Sequence, residues 1–132
     1  MTQEIALKTH SRTEFLDITP QVRDLVRQGR LQRGLCVVYV PHTTAGVLIN
    51  EGADPNLLTD LAGVLGRLVP EAGRYLHADD NADAHIKAAL VRSSETILIE
   101  EGQLALGAWQ AIFLCEFDGP RERRVLVRLL EG

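Results

Sequence analysis

The feature that most constrains the fold is the run from Arg123 to Leu130, where Arg124, Leu126, Arg128 and Leu130 alternate strictly with Val125, Val127 and Leu129. Successive side chains of a strand point to opposite faces, so a sustained period of two specifies β-structure. Just upstream, Asp118-Gly119-Pro120 is strong turn chemistry following the apolar run Trp109 to Phe117. This pattern predicts that the two runs form a hairpin.

The rest of the chain alternates between strand and helix signals. Residues 3–9 alternate and read as a strand with one wet face. Thr19-Pro20 offers an N-cap residue and a proline at the first helical position; Val22, Leu25 and Val26 follow at helical spacing, with Gly29 as the stop. Gly34 to Val40 is nearly all apolar, which suits a strand covered on both faces and ended by Pro41. Ala45 to Asn50 reads as the next strand, so His42-Thr43-Thr44 lies on a connection between strands. Asp54-Pro55 begins a helix carrying Leu57, Leu58, Leu61, Val64, Leu65 and Leu68, closed by Pro70. A third helix runs from about Ala82 to Arg92 with Ile86, Ala89 and Leu90 as its apolar stripe, and Thr96 to Ile99 is a further strand. The expectation is an α+β fold of about six strands and three helices, with a mostly antiparallel, β-sandwich-like sheet. No linker or repeat divides the chain, so residues 1–132 are expected to form a single domain.

Charge narrows the partners. A formal net charge of -4 and a pI of about 5.5 argue against nucleic acid, which needs an excess of Lys and Arg on one face. No apolar run approaches the roughly 20 residues needed to span a bilayer, and Met1 to Lys8 lacks a basic n-region followed by an apolar stretch. The expected address is therefore cytoplasmic, without a membrane partner. Cys36 and Cys115 sit inside apolar runs, where a free thiol acts as a small buried hydrophobe.

The chemistry concentrates in histidine. His77-Ala78-Asp79-Asp80-Asn81-Ala82-Asp83-Ala84-His85 packs two of the four histidines and three carboxylates into nine residues, and His42 adds a third imidazole beside two hydroxyls. Imidazole is the usual neutral-pH general base and the commonest metal ligand, so His42, Glu51 and His85 are candidate catalytic residues. His42, His77 and His85 are a candidate metal set, with zinc favoured by imidazole and magnesium by oxygen donors. Asp79, Asp80, Asn81 and Asp83 also fit a helix start, where carboxylates complement the dipole. His10 reads as a surface residue. Glu116 interrupts an apolar strand and requires a partner, an arginine or a site histidine. Arg121, Arg123 and Arg124 follow the turn and could grip phosphate oxygens through their forked guanidinium groups.

Taken together, Pro41-His42-Thr43-Thr44-Ala45-Gly46, Asn50-Glu51 with Asp54-Pro55, Asp60, Tyr75-x-His77, His85-Ile86-Lys87, and Ser94 through Ile97, Ile99, Gly102 and Gly107 to Trp109-Gln110 resemble the small YjbQ-like proteins described as secondary thiamine-phosphate synthases. The resemblance spans nearly the whole chain. It implies a compact α+β fold, a homotrimer, and a polar pocket at or near subunit interfaces. Carried onto this sequence, the pocket would use His42, Thr43, Asn50, Glu51, His77, His85, Trp109 and Gln110, and Thr44 and Arg121 are added as substrate-binding candidates. Ala108 stands where a Thr or Ser commonly precedes the Trp-Gln pair, and the acidic segment is more Asp-rich than in some relatives.

Three functions follow as expectations. The first joins a pyrimidine methyl pyrophosphate to a thiazole phosphate with release of pyrophosphate. The second is a divalent-metal hydrolase of a small phosphorylated or acyl compound, with Glu51 or Asp80 as base. The third is a non-enzymatic module that captures an anionic metabolite. The expected partner is a small phosphorylated substrate.

Overall fold

The computed structural model describes residues 2–132. In chain order it contains β1 (Thr2–Lys8), β2 (Glu14–Asp17), α1 (Thr19–Gly29), β3 (Arg33–Tyr39), β4 (Ala45–Glu51), α2 (Pro55–Leu68), α3 (Ala82–Val91), β5 (Ser94–Glu100), β6 (Gln103–Leu104), β7 (Gln110–Glu116) and β8 (Glu122–Glu131). The strands form two antiparallel sheets, one ordered β1-β8-β3-β5-β6 and the other β2-β7-β4. Three helices and a sandwich of antiparallel sheets make this the expected α+β fold. Two strands went unanticipated, β2 and β6, because four and two residues are too few to show a period.

The main core fills the space between the sheets. Cys36, Val38, Ile97, Ile99, Val125 and Val127 face Val47, Ile112 and Leu114, while Val22 and Val26 of α1 pack into the same cluster. Each fully buried aliphatic of this kind contributes about 1.5–3 kcal/mol. A second cluster lies on the far side of the small sheet, where Phe113, Cys115 and Phe117 meet Leu65, Ala84 and Ala88 of α2 and α3. The strand covered on both faces is therefore β7, and the expectation that placed β3 in that role is corrected. In β3 only Cys36 and Val38 are buried, while Leu35 and Tyr39 are 36% and 44% exposed. No helix covers that outer face of the large sheet, which also presents Leu98 and Leu130.

The predicted hairpin does not form. β8 pairs with β1 and β3, β7 pairs with β2 and β4, and residues 117–121 carry the chain from one sheet to the other. The turn chemistry is real, but the aliphatic face of β8 is matched by Ile5 of β1 and Val38 of β3 rather than by β7. The connection from β3 to β4 makes the same crossing at the same end of the sandwich.

Helix ends differ in instructive ways. Asp54 caps α2 as expected, its carboxylate accepting from the Asn56 N–H at 2.9 Å. Thr19 does not cap α1; its hydroxyl instead accepts from the Ile112 N–H at 2.8 Å and so ties the helix to β7. That helix stops at Arg30, which adopts a left-handed φ of 56°, one residue beyond Gly29. In α3 the apolar stripe is reversed. Ile86, Ala89 and Leu90 face outwards, whereas Asp83 and Lys87 are buried. The pair is tolerated inside because Lys87 Nζ donates to Asp83 Oδ2 at 3.1 Å and Arg12 donates to Asp83 Oδ1 at 3.0 Å.

Candidate functional site

The crossing from β3 to β4 carries His42, Thr43 and Thr44. Beneath it lies a buried ion pair that bridges the sheets: Arg123 Nε of β8 donates to Glu116 Oε1 of β7 at 2.8 Å. Thr9 Oγ1 donates to the same oxygen at 2.8 Å, and the Asp118 N–H donates to Oε2 at 3.0 Å. Burial alone would raise the Glu116 pKa, but the hydrogen bonds from Arg123, Asp118 and Thr9 outweigh it and hold the carboxyl below its ordinary value. Arg123 also donates to Thr44 Oγ1 at 2.8 Å. Thr44, expected at the substrate, is therefore 4% exposed and belongs to the foundation of the loop.

His42 stands on this foundation. Its Nε2 accepts the Arg124 N–H at 3.1 Å, which fixes the tautomer with the proton on Nδ1. Burial, and next the positive charge of Arg123, lower its pKa. His42 is thus a neutral imidazole that presents an N–H donor.

A cleft of about 590 Å³ opens beside it, lined by His42, Thr43, His85, Arg92, Ser93, Ser94 and three alanines of β4 and α3. Its far wall is built by a close backbone approach. The Val40 N–H donates to Ser93 O at 2.8 Å and the Val47 N–H to Arg92 O at 3.1 Å. Gly46 permits this, since a Cβ there would stand 2.5 Å from Arg92 O. Arg92 itself adopts φ 83° and ψ 168°, a region occupied almost only by glycine, so the cleft stores strain of about 1–3 kcal/mol. Sequence reading missed Arg92 and Ser93; Ser94 entered only through the family resemblance.

His85 reaches the cleft from the second turn of α3, which is held in place by Arg12. That side chain, on the connection from β1 to β2, also pairs with Asp118 at 3.5 Å and Glu71 at 3.1 Å. Asn81, at the start of α3, donates to Asp118 Oδ2 at 2.9 Å. His77 is exposed and stacks on His85 with ring centroids 4.7 Å apart and planes at 28°.

The expected metal set does not assemble within one chain. Among the described residues no three histidine, cysteine or carboxylate side chains converge on a position for an ion. The unprotonated nitrogen of His42 accepts from Arg124, and Nδ1 of His77 accepts the Asp79 N–H at 3.2 Å. Each ring thus turns a donor rather than a lone pair to its surroundings. Stacking further keeps the His77 and His85 nitrogens from pointing at one centre.

The remaining predicted residues lie elsewhere. Arg121 folds back on its own turn, Nε donating to Asp118 O at 3.0 Å and a terminal nitrogen to Asp118 Oδ2 at 2.8 Å. Asn50, Glu51, Trp109 and Gln110 gather at the opposite end of the β4–β7 ladder, where Glu51 pairs with Gln110 while Ala45 pairs with Glu116. Six residue steps separate the two ends, about 20 Å. Here the polar groups serve local turns: Asn50 Oδ1 accepts from the Glu51 N–H, Glu51 Oε2 from the Asp54 N–H, and Gln110 Oε1 from the Gly107 N–H. His10 is exposed and pairs with Glu14, as a surface residue should. Cys36 and Cys115 are buried free thiols; burial pushes Cys36 up to about 11 and raises Cys115 as well.

The fold and cleft together define a small α+β sandwich protein with an imidazole, hydroxyl and guanidinium cleft suited to an anion. The chain belongs to the family described as UPF0047 protein YjbQ-like, whose profile it matches over residues 3–132. It is 48% identical over 129 residues to a UPF0047 protein of Archaeoglobus fulgidus, covering 96% of this chain and 99% of that one. A UPF0047 protein of Methanocaldococcus jannaschii is 45% identical over 124 residues, covering 94% and 90%. The crystal structure of a YjbQ/UPF0047 family protein from Clostridium acetobutylicum superposes with a TM-score of 0.96 at 46% identity, covering 97% of this chain and 99% of that one. No helix among the described residues is long and apolar enough to cross a membrane.

Proposed function

We propose that this chain is a transferase of the thiamine-phosphate-synthase type, working in the cleft between His42 and His85. One observation carries the reading: two imidazoles distant in sequence share a cleft with Thr43, Arg92, Ser93 and Ser94, a set matched to phosphate oxygens. The reaction asks little acid-base chemistry of the protein. The thiazole nitrogen forms a bond to the pyrimidine methylene carbon, the carbon-oxygen bond breaks, and its electron pair leaves on pyrophosphate. Arg92 and the His42 Nδ1–H stabilise that leaving group, and the hydroxyls orient it. His85, at the other wall, holds the second phosphate.

The proposal extends to a homotrimer. The uncovered outer face of the large sheet, with Leu35, Tyr39, Leu98 and Leu130, supports burial against further copies of the chain. Sedimentation equilibrium should return about three times the 14.6 kDa chain mass.

The decisive assay mixes the purified, untagged protein with the two precursors and measures thiamine phosphate. Wild type should form product, and His42→Ala and His85→Ala should each lose it by at least about a hundredfold. Failure of the wild-type protein to make product, or unchanged product from both variants, overturns the reading. Pyrophosphate bound without turnover would point to a capture module. Activity restored only by zinc, with metal found on elemental analysis, would point to the hydrolase.

A further inference from the structure

At the opposite end of the sandwich from His42, α1 and the turn from β5 to β6 enclose a second cleft of about 580 Å³, as large as the first. Arg23 and Arg27 of α1 line one wall, Gln32 and Gln103 supply amides, and Leu104 and Leu106 form an apolar patch. Its floor is shaped by Glu101 and Gly102, whose φ values of 52° and 77° are both left-handed. The Gly102 N–H donates to Gln32 O at 3.1 Å, which fixes this turn against the start of β3.

The charges here are incompletely matched. Arg27 pairs with Asp24 on its own helix. Arg23, one turn away on the same helix face, has no ion pair among the described residues, and Glu101 on the opposite rim reaches neither arginine. Like charges at i and i+4 repel, so this face is left open to an anion. Arg23 also lines a smaller cleft of about 300 Å³ whose wall includes Trp109, 69% exposed, and Asp17, whose Oδ1 accepts the Thr19 N–H at 2.9 Å. A guanidinium shared by one cleft that contains an indole and another that contains leucines matches an anionic group attached to a flat apolar body. Cavities of a few hundred Å³ lined in this way are the usual dimensions of small-molecule sites.

We propose that the joined groove of α1, the β5–β6 turn and Trp109 is a second ligand site, for a small aryl or similarly flat organic anion held at Arg23. It is separate from the His42–His85 cleft and gives Trp109 a role that the cleft does not. It stands whether or not the transferase reading does.

The probe is 1-anilinonaphthalene-8-sulfonate, titrated against the wild-type protein and followed by its own emission. Binding should saturate at one molecule per chain, and saturation should shield Trp109, the only tryptophan, from acrylamide quenching. Arg23→Ala should weaken binding about tenfold, while Arg23→Lys recovers part of it and His85→Ala leaves it unchanged. Arg23 is exposed, so the variants fold. Binding in Arg23→Ala within twofold of wild type, binding lost in His85→Ala, or Trp109 no better shielded at saturation overturns the site.

Discussion

The two ends of the β4–β7 ladder make a controlled comparison, because both are rich in polar residues and only one turns them inwards. At the Ala45–Glu116 end three connections, β1 to β2, β3 to β4 and β7 to β8, cross between the sheets, and the crossing requires something to span the layers. Glu116, Arg123 and Thr44 do so from buried positions, and His42 is anchored on top of them. At the Glu51–Gln110 end residues 105–109 also carry the chain from one sheet to the other, from β6 to β7, but there Asn50, Glu51 and Gln110 accept from backbone groups one to three residues away. Similar residue types become a preorganised site in one place and turn chemistry in the other. What separates them is whether the polar groups join distant parts of the chain.

The largest test of this contrast is Arg123→Ala, which leaves Glu116 buried without its counter-ion and should cost about 3–5 kcal/mol in a urea melt. If it costs no more than the matching change at the other end, Gln110→Ala, the two ends are not different in kind. Acid should reproduce part of the loss. The folded protein holds Glu116 below its ordinary pKa near 4.5, so its contribution is complete above that value and disappears as the pH falls through the folded pKa. His42 adds in the same direction at higher pH, because the folded state favours the neutral ring while the unfolded chain takes up a proton near 6.5. Urea midpoints at pH 7, 5.5 and 4 should therefore descend, and the descent below pH 5 should vanish in Glu116→Gln.

A sharper variant is Arg92→Gly, which relieves the backbone while removing the guanidinium. It should raise stability by about 1 kcal/mol and weaken pyrophosphate binding, measured by calorimetry, at least tenfold. Asp54→Ala removes a helix cap and should cost about 1 kcal/mol without touching that binding. Gln110→Ala, at the quiet end, should fall within about 0.5 kcal/mol of wild type.

Much of the architecture is legible in the sequence. β1 and β8 announce themselves by period, and Asp54-Pro55 marks the start of α2. The hairpin failed because turn residues specify a change of direction and carry no information on which sheet receives the next strand. The face of α3 failed for a different reason: an internal Asp83–Lys87 pair inverts the rule that charge lies outside, and its stabiliser, Arg12, is seventy-one positions away from Asp83. Of the site, His42, Thr43 and His85 were found because imidazole and hydroxyl are chemically distinctive. Arg92 and Ser93 were not, since their placement depends on the absence of a Cβ at Gly46 and on two backbone hydrogen bonds. Trp109 and Gln110 were linked to the histidines by motif, and the ladder register sets them apart in the single chain.

The place of β8 between β1 and β3 has a consequence for how the molecule comes to be folded. Thr2 pairs with Arg128, so β1 cannot join the large sheet until β8, which lies between it and β3, is available. Until then β1 and β3 each lack their common neighbour and expose strand edges that invite mispairing. A chain emerging from the ribosome must hold them apart until β8 has been made. Such dominance of long-range pairing puts refolding in the slow, roughly millisecond-to-second class, and makes the arrival of β8 the step on which the large sheet depends.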